Sequence, residues 1–479
     1  MATTMIRTYP LLIDGAWKEA GEPLDVVSPA TGAVVGRTYQ ADAATLEEAV
    51  QATVRAFEAM RKLPAYERAA ILRKIADGIS AQQEEIARLM ALESGKPIRD
   101  CRIETARGAF TFAQAASEAE RLGGEVIPLD LMASSKGRLG ITRRVPVGPV
   151  LGISPFNFPL NLAAHKIAPA IAAGCSILLK PPSADPLTML NVARIIAEAG
   201  VPAGAVNVVP TSRALGDKLV QDERFKLLTF TGSMDVGWRM KAMAGKKKIV
   251  LELGGNAAVI VDKDADQDFA AKRISTGAFS YAGQTCISVQ RVYVHEAIAD
   301  SFLAKLKANT EALKQGDPLE ETTDVGPMID EKALERTAQW VQEAVDAGAT
   351  IITGGKREGH FFQPTILTNV KRESKVCSRE VFAPIVDVFP FADFDEALKS
   401  VNDSDYGLQA GIFTQNLDHA FRAFNELEVG GVIINDISGY RIDHMPYGGV
   451  KESGLGREGL KYAIEDMTEL RLMALNGVL

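Results

Sequence analysis

Cysteine is scarce in this chain, with four residues among 479: Cys101, Cys175, Cys286 and Cys377. No two of them have the close, paired spacing that marks a zinc site or a disulfide-stapled domain. The sequence therefore predicts neither a metal centre nor a disulfide framework. A reducing, cytoplasmic compartment fits this composition best.

The chain also lacks a basic block and a long unbroken apolar run. The formal charge is -8, and basic residues cluster only in the short run Lys246–Lys248, so nucleic acid is not an expected partner. The most apolar region, 145–179, is interrupted by five prolines and carries His165 and Lys166, which favours a buried core over a membrane span. Met1–Gly15 has no signal-peptide stretch, so no cleaved leader is expected.

Length and composition predict an α/β protein with two domains. A chain of 479 residues exceeds the size of one hydrophobic core. Apolar spacing at Leu46, Val50 and Phe57 predicts a helix over 42–60, and a second helix is expected near Pro64. We interpret the N-terminal third as mostly helical, followed by an extended segment over 126–147 that predicts an arm or a hairpin.

From Val150 onward, short apolar runs alternate with helical stretches. The strand candidates form two successive groups: Val150–Ser154, Ser176–Lys180, Val206–Val209, Lys226–Phe230 and Ile249–Leu253, then Ala257–Val261, Arg291–His295, Ala349–Thr353, Ile385–Phe389, Leu408–Phe413 and Gly431–Ile434. This alternation predicts parallel sheets covered by helices, an architecture that binds nucleotides at the carboxyl ends of its strands.

Three polar residues in predicted loops or at strand ends are candidates for chemistry. Cys286 lies between a predicted helix and a strand, where a loop can present a thiolate to a cleft, although most isolated cysteines are inert. Glu252 ends an apolar strand and is either a general base or a solvated carboxylate. Asn157 either donates a hydrogen bond to an oxyanion or caps a turn.

No G-x-G-x-x-G fingerprint occurs in the first strand-to-helix turn, so a dinucleotide would need another phosphate-holding device. Gly232 and Ser233 follow a strand at a helix start, where backbone N–H groups favour phosphate, but they also fit an ordinary cap. Lys180 ends a strand where such sheets meet the adenosine ribose, and it is otherwise a solvated lysine.

Taken together and in order, these segments resemble the aldehyde dehydrogenase superfamily over essentially the whole chain. The motifs that carry the resemblance are Pro155-Phe156-Asn157-Phe158-Pro159, Lys180-Pro181, Phe230-Thr231-Gly232-Ser233, Leu251-Glu252-Leu253-Gly254-Gly255, Gly283-Gln284-Thr285-Cys286, Glu380-Val381-Phe382-Ala383-Pro384 and Pro446-Tyr447-Gly448-Gly449-Val450-Lys451. With it we expect a Rossmann-like parallel-sheet cofactor domain (1–123 and 145–253), a second α/β catalytic domain (254–445) and a small β oligomerisation arm with a C-terminal tail (124–144 and 446–479). The arm and tail imply a homodimer or homotetramer.

The resemblance implies a covalent mechanism. Cys286 adds to the aldehyde, while Asn157 and the N–H of Cys286 hold the oxyanion of the thiohemiacetal. Hydride transfer to NAD or NADP leaves a thioester, which water activated by Glu252 hydrolyses to the carboxylic acid. Relatives that pass the acyl group to coenzyme A generally lack this glutamate, so the non-acylating, hydrolytic reaction is predicted.

The resemblance also implies a set of cofactor contacts: Ser154, Phe156, Lys180, Ser183, Gly232, Ser233, Glu380 and Phe382. Lys180 and Glu380 are expected at the two riboses, Phe382 near the nicotinamide and Ser233 at the pyrophosphate. Lys166 is a further candidate, for proton transfer.

Position 183 bears on cofactor choice. Ser183 stands where members selective for NAD often carry a glutamate, so NADP should be tolerated or preferred. Arg213 is a candidate partner for the 2′-phosphate, whereas Asp185 opposes it.

The substrate is predicted from one loop. Tyr440–Met445 resembles the loop of members that act on small hydroxylated or anionic aldehydes such as lactaldehyde, with Arg441, His444 and Arg107 as candidate anion contacts. A semialdehyde or an aromatic or aliphatic aldehyde is the alternative. A thiol acyltransferase or hydrolase using Cys286, or a silent structural member of the fold, are rival classes.

Overall fold

The computed structural model describes residues 6–477; residues 1–5 and 478–479, the ends of the predicted cofactor domain and tail, lie outside this range. Within it, none of the helices is both long and apolar enough to span a bilayer. The helices are α1 Ala43–Met60, α2 Ala65–Ala81, α3 Gln83–Ser94, α4 Ile98–Arg121, α5 Asn161–Ala173, α6 Leu187–Glu198, α7 Arg213–Gln221, α8 Met234–Met243, α9 Gln267–Phe279, α10 Ala299–Glu311, α11 Glu331–Asp346, α12 Lys375–Ser378, α13 Phe394–Asn402, α14 Leu417–Glu426 and α15 Leu460–Asp466.

The strands of the same range form two large sheets and several small ones. They are β1 Leu11–Ile13, β2 Ala16–Lys18, β3 Glu22–Val27, β4 Val34–Gln40, β5 Val126–Pro128, β6 Arg138–Pro146, β7 Val150–Ile153, β8 Ile177–Lys180, β9 Val206–Val208, β10 Leu227–Thr231, β11 Lys248–Glu252, β12 Ala257–Val261, β13 Val289–His295, β14 Thr350–Thr353, β15 Arg357–Glu358, β16 Phe361–Phe362, β17 Thr365–Thr368, β18 Ile385–Phe391, β19 Tyr406–Gly407, β20 Gln409–Phe413, β21 Gly431–Ile434, β22 Val450–Lys451, β23 Gly454–Leu455 and β24 Thr468–Asn476.

The first large sheet has the order β2-β1-β9-β8-β7-β10-β11-β23. Its five central strands are parallel, and every residue of β7 and β10 is buried because helices cover both faces. The parallel strands begin at β7. From there the chain passes outward through β8 and β9 and then returns to β10 on the other side of β7. The loops after β7 and β10 therefore flank the point where the strand order reverses, which is where such sheets bind ligands.

The second large sheet has the order β14-β17-β18-β13-β12-β20-β21 and is parallel except where β14 meets β17. Every strand candidate predicted from Val150 onward overlaps a strand of one of the two sheets. The predicted α/β class with two parallel sheets is confirmed.

The mostly helical N-terminal third holds from Ala43 to Arg121, and Pro64 directly precedes α2, but the prediction missed β1 to β4. Strand β1 has only three residues, too few for an alternating pattern to stand out. It is placed by tertiary pairing, with Leu12 opposite Val208 of β9.

The extended segment forms an antiparallel three-stranded arm of order β24-β6-β5, in which Thr468 pairs with Pro146 and Asn476 with Arg138. The region expected as a C-terminal tail contributes to three places. Strand β22 pairs with β19, strand β23 joins the first sheet beside β11, and only β24 enters the arm. Strand β23 and helix α15 therefore lie against the predicted cofactor domain, with Gly454 opposite Glu252.

Candidate active site

A cavity of about 880 Å³ opens at the carboxyl ends of the first sheet, against a loop of the second. Eight of the predicted site residues line it: Phe156, Asn157, Gly232, Ser233, Glu252, Cys286, Glu380 and Phe382. The other three, Ser154, Lys180 and Ser183, do not: Ser154 is buried, Lys180 is partly exposed and Ser183 is exposed. A volume in this range is typical of a small-molecule or cofactor site.

Cys286 is presented by a tight loop that follows α9. Tyr281 and Ala282 have φ angles of 50° and 53°, a conformation that costs free energy in residues other than glycine. The Gln284 side chain holds this loop, donating to the carbonyls of Tyr281 (3.2 Å) and Pro327 (3.3 Å). The strained turn is thus fixed by contacts on both sides.

The thiol of Cys286 lies against one hydroxyl group. Its Sγ is 3.0 Å from Oη of Tyr447. Burial raises the pKa of the thiol to about 12, while the hydrogen bond to Tyr447 and the charge of Arg441 act in the opposite direction. The thiolate therefore depends on nearby donors and positive charge.

Glu252, at the end of β11, is 3% exposed, and neither carboxylate oxygen has a hydrogen-bond partner among residues 6–477. Burial, followed by repulsion from Glu458, raises its pKa well above the usual range. Such a carboxyl group is neutral over a wider pH range than an exposed one. It can take a proton from water once it ionises.

The glycines after Glu252 let three groups converge. A Cβ on Gly254 would lie 2.2 Å from Oε2 of Glu380, and one on Gly255 would lie 2.2 Å from the carbonyl oxygen of Cys286. No side chain fits at either position, so only glycine allows this approach.

A buried ionic network lies beside Glu252. Glu458 accepts hydrogen bonds from Lys166 (3.3 Å) and Arg441 (2.9 Å), and Lys166 also donates to Thr231 (2.7 Å). Although burial opposes its ionisation, Lys166 and Arg441 hold the pKa of Glu458 below its usual range. Burial lowers the pKa of Lys166.

The loop that carries Asn157 is anchored by a buried ion pair between Lys96 and Glu104. Glu104 on α4 accepts hydrogen bonds from the backbone N–H of Leu160 (3.0 Å) and of Asn161 (3.1 Å). Asn157 itself is 3% exposed and its Oδ1 has no partner in the described part of the chain. Its amide group is held at the cavity wall.

A second polar cluster surrounds Asp443. This carboxylate accepts hydrogen bonds from Arg107 (2.7 and 3.1 Å), Asn161 (2.9 Å) and Nε2 of His165 (2.9 Å). Burial and the charge of Arg441 lower the pKa of His165, which keeps the ring neutral. His444 is exposed instead, with its ring 6.3 Å from that of Phe110.

Glu380 and Phe382 form the opposite wall of the cavity. Oε1 of Glu380 accepts a hydrogen bond from the N–H of Gly255 (3.0 Å), and burial raises its pKa to about 7. The ring of Phe382 packs edge-on against Phe156, with centroids 5.8 Å apart. The two rings belong to loops of different sheets, one after β7 and one before β18, and together they make one apolar surface.

At the carboxyl end of β8, Lys180 packs along Gly216 of α7, near Arg213. Burial and the charge of Arg213 lower the pKa of Lys180 to about 8. Asp185 is fully buried, and burial raises its pKa well above the usual range. The expectation that Asp185 opposes a 2′-phosphate is not supported, because its carboxyl group is buried and burial disfavours the charged form.

Comparisons with known proteins agree with this geometry. Residues 17–473 match the model of the aldehyde dehydrogenase family. The chain belongs to this family. It is 47% identical over 475 residues to a 3-sulfolactaldehyde dehydrogenase of Priestia aryabhattai, covering 99% of both chains.

Two solved structures extend the comparison. Aldehyde dehydrogenase 21 of Physcomitrella patens, in complex with the product succinate, is 45% identical with a TM-score of 0.97 and 99% coverage of both chains. Glyceraldehyde-3-phosphate dehydrogenase of Methanocaldococcus jannaschii, complexed with NADP, is 41% identical with a TM-score of 0.91, covering 95% of this chain and 99% of its own. This aldehyde dehydrogenase therefore oxidises an aldehyde to the carboxylic acid with NAD or NADP.

Sequence reasoning missed several residues of this aldehyde dehydrogenase site. Tyr447 was part of a quoted motif but had no role, and Glu458, Lys96, Glu104 and Asp443 were not singled out. Glu458 lies between glycine-rich turns, and no local pattern shows that its carboxylate is buried. Glu458 could have been noticed only as a charged residue in a segment expected to be the C-terminal tail.

Proposed function

We propose that the protein oxidises a small aldehyde bearing an anionic or hydroxylated group, through a covalent intermediate on Cys286, and that Glu252 drives its hydrolysis. The observation that carries this proposal is the convergence of the Cys286 thiol, the Glu252 carboxyl and the Asn157 amide on one cavity. A nucleophile, a base and an oxyanion donor are the set this reaction needs.

Attack by Sγ on the aldehyde carbon forms a C–S bond and moves the carbonyl electron pair onto oxygen. Nδ2 of Asn157 and the backbone N–H of Cys286 would hold that oxyanion. Asn157 can do so because its loop is fixed by Glu104, and no reorganisation is needed when charge develops.

Hydrolysis is assigned to Glu252. Its ionised carboxylate takes a proton from water, whose oxygen attacks the thioester carbon; the C–S bond breaks and its electron pair returns to sulfur. Lys166 and Glu458 are supporting groups, since burial raises the pKa of Glu252 and their charges shift it further, Glu458 upward and Lys166 downward. A proton that Glu252 takes from water therefore lies next to the ion pair of Lys166 and Glu458.

The cavity fits a nicotinamide cofactor. Gly232 and Ser233 lie at the start of α8, where a Cβ on Gly232 would meet the Phe230 ring at 2.5 Å, and the Ser233 side chain makes no cap bond. We infer that this helix start holds the pyrophosphate, that Glu380 binds a ribose and that Phe382 lies against the nicotinamide. When bound, the cofactor supplies the two-electron oxidation.

Two arginines of the site support an anionic substrate. Arg441, paired with Glu458, is close enough for its charge to favour the Cys286 thiolate. Arg107 pairs with Asp443, two residues further along the loop that carries Arg441. The relatives described above are named for, or were solved with, compounds that carry a sulfonate, a carboxylate or a phosphate group. A neutral aliphatic or aromatic aldehyde is the alternative substrate, and it would make no ionic contact with these arginines.

The test is the formation of reduced cofactor from lactaldehyde, succinate semialdehyde, a sulfonated aldehyde and propanal, with NAD and NADP. We expect the anionic aldehydes to have the highest kcat/KM, and Cys286→Ala to abolish turnover. Turnover that survives in Cys286→Ala would show that another nucleophile acts and would end the proposal.

A matched pair of variants tests the anion contact. Arg107→Gln is expected to lower kcat/KM for anionic aldehydes about ten-fold and to leave propanal unchanged, as expected for one lost charge-assisted contact. Arg102→Gln, on the same helix but paired with Glu84 and Glu321 at the surface, is the control. Equal losses for charged and neutral aldehydes would assign Arg107 to folding.

We also propose that NADP is preferred over NAD. The charge of Arg213 acts on Lys180, the exposed Ser183 follows Lys180 by three residues, and Asp185 is buried. A 2′-phosphate at this edge of the sheet would meet positive charge and a hydroxyl group.

We further propose a homodimer or homotetramer acting in the cytoplasm. Strand β24 is paired on one side within the described range, and Leu470, Leu472 and Met473 on it are more than half exposed. Helix α14 exposes Leu417, Phe421 and Phe424 beside the open edge strand β21. One arm covering this face of a second copy would bury both apolar surfaces. The four cysteines, all free thiols in the structure, suit a reducing compartment.

A further inference from the structure

Tyr447 directly contacts the proposed nucleophile, yet nothing in the mechanism above uses it. Its Oη is 3.0 Å from Sγ of Cys286. Among residues 6–477, the sulfur is the hydroxyl group's only hydrogen-bond partner. A thiolate has no proton to donate, so in the reactive state the phenol must be the donor.

The ring of Tyr447 is buried, and packing and backbone hydrogen bonds fix its position. Tyr447 is 3% exposed and packs with Ile287 and Leu408. Its backbone N–H donates to the carbonyl of Glu458 (3.1 Å), with the reciprocal bond at 2.6 Å. The donor is therefore already placed before a thiolate forms, and its hydrogen bond needs little reorganisation.

Arg441 adds charge to the same arrangement. Its Cζ lies 3.7 Å from the centroid of the Tyr447 ring, a cation–π contact with the guanidinium over the ring face. A positive charge against the ring strengthens the phenol as a donor and by itself favours ionisation, but burial has the larger effect and raises the pKa of Tyr447 well above its usual range. Tyr447 and Arg441 thus form one unit that favours the Cys286 thiolate, whereas the charge of Glu252 would oppose it.

We propose that Tyr447 is a catalytic residue that donates a hydrogen bond to the Cys286 thiolate, both before attack on the aldehyde and when sulfur leaves in hydrolysis. In the first step the sulfur electron pair becomes the new C–S bond. In the second step that bond breaks and the pair returns to sulfur. The phenol keeps its proton throughout, so no further reactant is required. This inference rests on the proposed role of Cys286 as nucleophile.

The test is the alkylation of cofactor-free, full-length enzyme by iodoacetamide, compared between wild type and Tyr447→Phe over pH 6 to 10. The variant removes one hydroxyl and keeps the ring under Arg441. We expect the alkylation rate at a given pH to fall about ten-fold and the pH profile to move about one unit to higher pH, as for the loss of a hydrogen bond to a charged group. The kcat/KM for the aldehyde should fall by a similar factor.

Two controls separate this role from packing. The ratio of rates with iodoacetamide and the bulkier N-ethylmaleimide should be unchanged, because a weaker thiolate affects both reagents alike, whereas an altered cavity changes the ratio. Tyr66→Phe makes the same change on the surface, where Tyr66 is 67% exposed, and should match wild type.

The outcomes are distinct. Superimposable alkylation profiles for wild type and Tyr447→Phe, or a changed reagent ratio, would overturn the role of Tyr447 and leave the proposed function standing. Full activity in Cys286→Ala would overturn the proposed function itself, whatever Tyr447→Phe shows.

Discussion

The chemistry of Glu252 follows from the place of its carboxylate. A buried carboxyl group without a hydrogen-bond partner prefers the neutral form, and the neighbouring Glu458 adds repulsion. Its ionised fraction therefore grows only as the pH rises above the ordinary range of a glutamate. A general base with this property acts near neutral pH, where an exposed glutamate would bind a proton too weakly.

We expect Glu252→Gln to lower kcat about 10²- to 10⁴-fold while the first turnover persists, because the amide cannot take a proton from water. Stopped-flow absorbance should show a burst of reduced cofactor followed by almost no steady state. The wild-type kcat should rise with pH as Glu252 ionises, and the residual rate of the variant should lack this rise. Glu223→Gln, an exposed carboxylate, should behave as wild type. A variant without a burst would place Glu252 in the first step.

The proposed role of position 183 in cofactor preference depends on charge. We expect Ser183→Glu to lower the ratio of kcat/KM with NADP to that with NAD by on the order of ten-fold, about 1.4 kcal/mol, since a carboxylate there repels a 2′-phosphate. Ser183→Gln has nearly the same size without the charge and should keep the wild-type ratio. If both variants change the ratio equally, side-chain volume rather than charge is responsible.

At the scale of elements, the N-termini of some helices are fixed by buried carboxylates that belong to other helices. Helix α6 begins after Pro186, which has no side-chain group to cap it. Glu93 of α3 supplies the cap instead, accepting hydrogen bonds from the N–H groups of Leu187 and Thr188, both at 2.7 Å. In the same way, Glu104 of α4 accepts a hydrogen bond from the N–H of Leu160, in the loop before α5 that carries Asn157. Packing thus orders the site through backbone N–H groups.

We expect Glu93→Gln to lower stability by about 1–3 kcal/mol, because the amide can accept from only one of the two N–H groups. The midpoint of urea unfolding measures this loss. Glu85→Gln, on the same helix but half exposed at the surface, should change stability by less than about 0.5 kcal/mol.

The stability difference should also depend on pH. Burial raises the pKa of Glu93 to about 7, so the protonated form is favoured in the folded state. This contribution is complete below the unfolded pKa and is lost as the pH rises through about 7. The gap between wild type and Glu93→Gln should therefore narrow from pH 5 to pH 8, and a gap that widens would contradict the assignment.

At the scale of the whole molecule, the apolar surface left by the fold supports the proposed assembly. The arm and α14 both expose large apolar side chains next to sheet edges that are open in the described range. Single copies of a chain rarely leave two such surfaces in water. The residues that line the cavity come from neither the arm nor α14, so we expect that assembly and catalysis can be disturbed separately.

We expect the double variant Phe421→Lys and Phe424→Lys to convert the oligomer to monomers, because two charges would be buried at the contact. Sedimentation velocity measures the change. Tyr66→Lys, which adds one charge at an exposed position, should leave the oligomer intact. A wild-type protein that sediments as a monomer would rule out the assembly.

Sequence alone determined the strands from Val150 onward, the loops that carry Asn157, Glu252 and Cys286, and the family. These follow from local patterns: buried parallel strands are continuous apolar runs, and each motif occupies a few adjacent residues. The three-residue strand β1 carries too little pattern and was missed.

Only the tertiary structure decided which charged groups share the interior. Lys166 and Glu458 are 292 residues apart in the chain, and Cys286 and Tyr447 are 161 apart. Local periodicity contains no information on such pairs, because their contact depends on how β23 returns to the first sheet. Burial then sets their ionisation, and with it the charge beside the thiol, which no reading of neighbours along the chain supplies.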